Sequence, residues 1–202
     1  IKIDSRARVN VTSFFDPNRM AQSDWVSFGL SEKQAVTMMR FIDSRGGVVE
    51  AEELLDVYVL SKEDKEVLVS WCRIDKESVN EWGQADFKRI KGVGEVLSLR
   101  IMKYRDKLGG FYSLNQLNEV YGLDSSVVNK IKERTKITVV NSIAINSWSY
   151  RELMNHPYIA KSEAKLIIKQ RTIAPFKEES QLFEVFSDEK KIERLKPYIS
   201  YE

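Results

Sequence analysis

The chain repeats one short pattern three times, and this repeat constrains its fold more than any other feature. Residues 18–28, 80–90 and 146–156 align without a gap. Each window opens on Asn, carries Met or Trp two residues later, an acid six residues later and an apolar residue seven residues later. The acids are Asp24, Asp86 and Glu152, and the apolar residues are Trp25, Phe87 and Leu153. The sequence therefore predicts one structural unit of about 60 residues that occurs three times.

The repeat also sets the expected domain boundaries. Four segments result: an extended N-terminal segment (1–14), the first unit (15–74), the middle unit (79–137) and the third unit (143–202). Residues 75–78 leave only a short join between the first two units, so we expect a semi-rigid row of three small domains. Because the same apolar positions recur, each domain is predicted to have its own core.

Within each unit the apolar residues recur at helical spacing, as at Met38 and Ile42. Glycine pairs at 46–47 and 109–110 suit left-handed helix ends, and Pro175 cannot continue the third long helix. Alternating patterns occur only at residues 9–11 and 137–145, which we interpret as extended connections. Predicted capping residues are Ser113 with Gln116, then Ser61, Asp124 and Ser187 or Asp188. The pattern predicts an all-α fold in which each unit contains two helix-turn-helix pairs.

Composition excludes several classes of function. No apolar run approaches the roughly 20 residues that span a bilayer. Cys72 and His156 are the only residues of their types, so no internal disulfide and no metal site is expected, and both are predicted to be packed in the core. No nucleophile–base pair and no phosphate loop occurs either. We therefore expect no cofactor and no enzymatic activity.

Charge is distributed unevenly between the units. The whole chain has a net charge of only +2. The first unit carries 7 Lys and Arg against 11 Asp and Glu, a net charge of −4. The middle unit carries 11 against 7, a net charge of +4, and residues 138–202 carry 10 against 9. Only the middle unit is basic enough to favour a polyanionic partner.

A glycine-rich turn in that basic unit precedes a predicted helix. Gly92 and Gly94 lack Cβ atoms, so their amides can approach an anion at the positive end of the helix, while Val93 points inward. Lys91 lies in the same turn, and Lys88, Arg89 and Lys107 lie nearby in sequence. The predicted DNA-contacting residues are Lys91, Gly92, Val93, Gly94, Arg100 and Lys103, with Gly122 and Leu123 as weaker candidates beside Asp124.

These residues resemble a known family. Residues 90–94, Ile-Lys-Gly-Val-Gly, followed by Leu97, Ile101 and the Gly-Gly-Phe of 109–111, are similar to the helix-hairpin-helix domain of ComEA-type competence proteins. The similarity extends over three tandem copies from about Phe15 to Tyr201. It implies a SAM-like, paired helix-hairpin-helix fold and sequence-independent binding of double-stranded DNA, with hairpin amides on phosphates across the minor groove. It also implies a link to DNA uptake and an exported protein tethered by a preceding N-terminal anchor, with no membrane contact by this segment itself.

The first and third units depart from the family pattern. The first keeps only Gly29, and in the third Tyr158 and Ala160 replace both glycines, so Cβ atoms hinder phosphate approach. We therefore assign the DNA role to the middle unit alone. The alternative is a protein-interaction or scaffolding array of degenerate hairpin domains without DNA binding. A basic face around Lys91 would favour DNA, whereas exposed apolar patches on the first and third units would favour a protein partner.

Overall fold

The computed structural model describes residues 8–186 and 188–202, and within them the chain is mostly helical, as predicted. The α-helices are α1 (Gln22–Ser27), α2 (Glu32–Arg45), α3 (Lys62–Trp71), α4 (Gln84–Lys88), α5 (Glu95–Leu108), α6 (Ser125–Arg134), α7 (Tyr150–Asn155), α8 (Lys161–Ile173) and α9 (Glu189–Leu195). Short 3-10 helices span Pro17–Arg19, Ala51–Asp56, Leu114–Glu119, Glu179–Glu184 and Lys196–Tyr198. Two-residue strands are β1 (Glu77–Ser78), β2 (Thr135–Lys136), β3 (Ile143–Ala144) and β4 (Ile199–Ser200).

Each unit has the same order of elements: a short helix, a long helix, a 3-10 helix and a last helix. The 3-10 helices at 51–56, 114–119 and 179–184 stand where we predicted α-helices. Each of these segments spans only six residues, and short helical segments commonly form the i→i+3 hydrogen bonds of a 3-10 helix. The assignment of three separate domains, and the boundaries given to them, remain predictions.

The repeated asparagine links two segments of its own unit by hydrogen bonds. Asn80 accepts a hydrogen bond from the Phe111 amide at 2.7 Å and donates to the Phe111 carbonyl at 2.9 Å. Asn18 and Asn146 make the same reciprocal pair with Val48 and Phe176. Each asparagine therefore ties the start of its unit to the loop after the long helix, which explains why the residue recurs.

The repeated acid and apolar residue have equally local roles. Asp86 accepts the Gly83 amide at 2.9 Å, and Asp24 and Glu152 accept the amides of Ala21 and Ser149 in the same way. This is the reciprocal half of a helix capping box. The apolar residues that follow, Trp25, Phe87 and Leu153, are completely buried, as predicted.

Short parallel strand pairings, which were not predicted, close the units. β1 pairs with β2, β3 pairs with β4, and Phe15 forms an isolated parallel bridge with Cys72. In each case residues at the start of a unit, or directly before it, pair with the residues directly after its last helix. Two-residue strands carry too few alternating positions to be recognised in a sequence.

The prediction of three separate cores is wrong. The first unit has its own cluster around Trp25, Met38 and Leu68. The middle and third units share one continuous cluster that runs from Val79 to Tyr198. Their cores merge because aromatic side chains of the third unit pack into the middle unit, with the rings of Tyr112 and Tyr198 5.6 Å apart.

Most predicted helix ends are confirmed. Gly46 and Gly109 end α2 and α5 in the left-handed conformation, and α8 stops two residues before Pro175. The side chains of Ser61, Asp124 and Asp188 cap α3, α6 and α9, and Ser113 and Gln116 form the predicted capping box. Ser187 and residues 1–7 of the predicted N-terminal segment lie outside the described residues.

The single cysteine and the single histidine of the chain lie in the core, as predicted. Cys72 is buried, and desolvation raises the pKa of its thiol to about 11. His156 is buried between Tyr158 and Tyr198, and its Nδ1 accepts the Tyr158 amide at 3.3 Å. Burial lowers the pKa of His156 to about 4, although the Leu108 carbonyl acts in the opposite direction. Among the described residues no helix combines the length and apolarity needed to cross a bilayer.

Candidate nucleic-acid interface

The turn between α4 and α5, which we call hairpin 1 (residues 91–94), has the geometry expected of an anion cradle. Val93 is buried in the core, as predicted, and its amide donates to the Ile90 carbonyl at 2.9 Å. Gly92 has a φ of +106°, and a Cβ there would lie 2.8 Å from the Val127 side chain. Glycine at 92 is therefore required by the backbone and by the close approach of α6.

Gly94, unlike Gly92, is not required by its backbone conformation, and what distinguishes it is the open space around it. Its backbone is extended, and a Cβ built there meets no heavy atom within 4 Å. No side chain caps α5, and the Gly94 amide has no hydrogen-bond partner within the described part of the chain. The amides of the first turn of α5 add further donors, because the first residues of a helix have no intrahelical acceptors.

The equivalent amides in the other two units are already occupied. Ser31 donates its amide to the Gln34 side chain at 3.0 Å, and Ala160 donates to Glu163 at 2.6 Å. Leu97 stands at the corresponding position of the middle unit and offers no acceptor. A residue without a side-chain acceptor three positions after the N-cap is the sequence signal that identifies the open turn.

Hairpin 1 is braced against a second turn, hairpin 2 (residues 121–124), by a reciprocal pair of cations. Arg100 of α5 donates to the Tyr121 carbonyl at 3.2 Å, and Lys130 of α6 donates to the Lys91 carbonyl at 3.3 Å. Arg100 and Lys130 are each the sixth residue of their helix, so the two contacts are related by a local twofold. The two helix starts therefore lie side by side on one face.

Hairpin 2 is less suited to an anion than hairpin 1. Leu123 is buried like Val93, and Gly122 packs against Leu97 and Arg100. Asp124, however, accepts the Ser126 amide at 2.8 Å, and hydrogen bonds from the side chain and the amide of Ser126 lower the pKa of the Asp124 carboxyl. The start of α6 therefore has the negative Asp124 carboxylate, and the Ser126 amide is already hydrogen-bonded to it.

The cations around hairpin 1 are only partly available. Lys88 pairs with Glu95 at 2.8 Å, and hydrogen bonds from Lys88 and Gln84 lower the pKa of the Glu95 carboxyl. Glu95, which is not among the predicted site residues, is the first residue of α5 and places a carboxylate beside the cradle. Lys91 and Lys103 are exposed, but Lys103 lies two turns further along α5 than the cradle.

The hairpin turn of the first unit is covered by its own N-terminal segment. Gly29 lies against the Arg8 carbonyl, and the Asn10 amide donates to the Phe28 carbonyl at 2.8 Å. Asp64 accepts the amides of Arg8 and Val9 at 2.7 and 2.9 Å. Residues 8–10 therefore occupy the surface that hairpin 1 leaves open in the middle unit.

The hairpin turn of the third unit is covered by the middle unit. The Tyr158 hydroxyl donates to Glu119 at 2.7 Å and accepts from Gln116 at 2.8 Å. Gln116 also donates to the Tyr198 hydroxyl at 2.9 Å. As predicted, the turns at Gly29 and Tyr158 are covered, and among the described residues the Gly94 amide is the one of the three equivalent amides without an acceptor.

Comparison with known proteins agrees with this ranking. Residues 77–136, from β1 to β2, match the family described as helix-hairpin-helix motif, an element that commonly binds nucleic acid. No curated protein and no solved structure matches the chain.

Proposed function

We propose that this protein binds double-stranded DNA without sequence specificity, through hairpin 1 of the middle unit. The observation that supports this most directly is the uncapped Gly94 amide, which stands open where the other two units have a side-chain acceptor. Backbone amides at a helix start, with the partial positive charge of the helix, bind phosphate oxygens. They contact no base edge, so such binding carries no sequence information.

The paired hairpins suit a duplex better than a free phosphate. The cross-braces of Arg100 and Lys130 hold the two turns in a local twofold arrangement, and the strands of a duplex are also related by twofold axes. In the proposed complex hairpin 1 holds a phosphate of one strand across the minor groove. Hairpin 2 lies against the other strand and contributes less, because Asp124 repels phosphate.

We further propose that the chain consists of three tandem ComEA-type copies, of which the first and third have lost DNA binding. The shared order of elements and the three identical asparagine clasps support this. The same proposal includes a link to DNA uptake and the absence of enzymatic activity. It also assigns DNA binding to Lys91, Gly92, Val93, Gly94, Arg100, Lys103, Gly122 and Leu123.

A binding experiment with a matched pair of variants tests the function. Lys91→Glu combined with Gly94→Asp places negative charge in the cradle and preserves the fold, since Asp is a good helix cap and position 94 is open. The control is Ala160→Asp, at the equivalent but already capped position. We expect the double variant to lose retardation of a random-sequence duplex at low salt, and the control to retain it.

A second candidate function is a protein-interaction array without DNA binding. Exposed apolar side chains on the first and third units favour it, among them Leu55, Tyr58, Ile173 and Phe183. Failure of the wild-type chain to retard duplex DNA at low salt would overturn the DNA proposal and leave this candidate. Equal loss in both variants would contradict the assignment to hairpin 1.

A further inference from the structure

Hairpin 2 carries an exposed aromatic ring at the position where hairpin 1 carries a lysine. The Tyr121 carbonyl accepts a hydrogen bond from Arg100 at 3.2 Å. The Lys91 carbonyl accepts from Lys130 in the same way, so Tyr121 and Lys91 are equivalent residues of the local twofold. Both residues are exposed, and Tyr121 is 83% exposed. The two hairpins therefore present different side chains at equivalent places, one charged and one aromatic.

Hairpin 2 cannot hold a phosphate by the chemistry of hairpin 1. At its first position an uncharged ring replaces the cation of Lys91. At its helix start the carboxylate of Asp124 replaces the open amide of Gly94. A phosphate oxygen therefore meets neither a lysine nor a free helix start there. A contribution of hairpin 2 to affinity has to come chiefly from an uncharged contact.

A cation lies over the ring of Tyr121. The Arg100 guanidinium is 5.2 Å from the ring centroid, within the range of a cation–π interaction. The same guanidinium donates to the Tyr121 carbonyl, so one side chain supports both the ring and the backbone of this residue. Its positive charge also favours the approach of a polyanion to the ring, although the Asp124 carboxylate lies in the same hairpin.

Exposure alone does not mark this ring, because the other two units also hold an aromatic residue at the same position. Tyr58 of the first unit is 80% exposed, but Thr37 stands where α5 has Arg100, and among the described residues no cation lies over the Tyr58 ring. Phe186 of the third unit is buried. Within the part of the chain that the structure describes, the middle unit alone combines an exposed ring, a cation over it and an open hairpin beside it.

From these observations we infer that Tyr121 makes an uncharged contact with DNA, its ring packing on the apolar face of a nucleotide in the strand opposite hairpin 1. The inference rests on the proposed function, because hairpin 1 is what brings a duplex to this face. DNA offers a ring two apolar faces: the deoxyribose, which an intact duplex presents, and a base, which is accessible where it is unpaired. Neither face carries sequence information, since every nucleotide has both.

Salt titrations of Tyr121→Ala and Lys91→Ala, the two equivalent positions, test the inference. Fluorescence anisotropy of a labelled random-sequence duplex gives the dissociation constant at each salt concentration. Tyr121→Ala should weaken binding by about 5- to 150-fold at every salt concentration, the range for one aromatic contact. Its slope of log K against log salt should equal that of wild type, because no phosphate contact is lost, whereas Lys91→Ala should reduce the slope by about 0.9.

Two control variants accompany this pair. Tyr121→Phe keeps the ring and should bind like wild type, and Tyr58→Ala, at the same position of the first unit, should too. The fold should tolerate Tyr121→Ala, since the ring is exposed and the Arg100 hydrogen bond uses the backbone carbonyl. Far-ultraviolet circular dichroism checks that the helices are intact.

A duplex with a one-nucleotide gap, titrated beside the intact duplex, distinguishes the two apolar faces. A loss of affinity in Tyr121→Ala on both substrates identifies the deoxyribose as the contact. A loss on the gapped duplex alone identifies an unpaired base.

The inference and the proposed function fail in different ways. Unchanged affinity of Tyr121→Ala on both substrates would overturn the inference, while weaker binding by Lys91→Ala would leave the proposed function standing. A reduced salt slope in Tyr121→Ala, or an equal loss in Tyr121→Phe, would also overturn it, because the hydroxyl would then be the contacting group. If the wild type binds neither substrate, the proposed function is overturned and the inference with it.

Discussion

Replacing Gly94 by Ser should strengthen the fold and weaken DNA binding at the same time. Gly94 has φ −95°, which any residue adopts, and a Cβ there meets no heavy atom within 4 Å. Ser31 occupies this position in the first unit, where its hydroxyl caps the long helix. A serine at 94 can therefore accept the Leu97 amide without strain.

The two effects have opposite signs and measurable sizes. A serine cap in place of glycine, together with lower chain entropy in the unfolded state, should add about 0.5–1 kcal/mol to the free energy of unfolding. For a chain of this length that raises the melting temperature by about 1–4 °C. The new side chain stands where a phosphate would lie. Loss of one hydrogen bond to a charged group costs about 2 kcal/mol, or roughly 30-fold in dissociation constant.

Fluorescence anisotropy of a labelled random-sequence duplex, titrated at several salt concentrations, measures the affinity, and thermal denaturation measures the stability. The slope of log K against log salt should fall in magnitude by about 0.9 if one phosphate contact is lost. Ala160→Ser is the control, because Glu163 already occupies the Ala160 amide, and its DNA affinity should equal that of wild type. Unchanged affinity in Gly94→Ser would refute the cradle, and a parallel loss of stability would refute the claim that position 94 is open.

Further predictions concern charge, pH and the junction between units. Glu95→Gln should free Lys88 for phosphate, so DNA binding should tighten and its salt slope steepen by about 0.9 in the same titration. Because the pKa of buried His156 falls from 6.5 to about 4, the unfolded state binds its proton first as pH falls, and urea unfolding should show a loss of about 3 kcal/mol between pH 7 and pH 4. That part of the pH dependence should disappear in His156→Phe; its persistence would contradict the assignment. Tyr158→Phe should cost about 1–3 kcal/mol of unfolding free energy, since two buried hydrogen bonds are lost, whereas Tyr58→Phe, at an exposed position, should leave it unchanged.

Local features of this fold were readable from the sequence because each depends on a few neighbouring residues. A capping box needs only two side chains three positions apart, as in Ser113 and Gln116. A left-handed helix end needs one glycine, as at Gly109. The inward side chain of Val93 follows from an apolar residue between two glycines. These interactions act within a single turn of backbone, so their pattern is written contiguously in the chain.

The cover over each hairpin was decided only by tertiary structure. Sequence reasoning ranked hairpin 1 first through its missing Cβ atoms, but the larger difference is that Arg8 and Val9 cover the first turn and the middle unit covers Tyr158. The shared core, the brace between Lys130 and Lys91 and the closing strand pairs likewise join residues far apart in sequence. Such contacts depend on the shapes of two folded surfaces, which no local pattern encodes. The sequence by itself determined which turns could bind a phosphate, and packing determined which one is left open to do so.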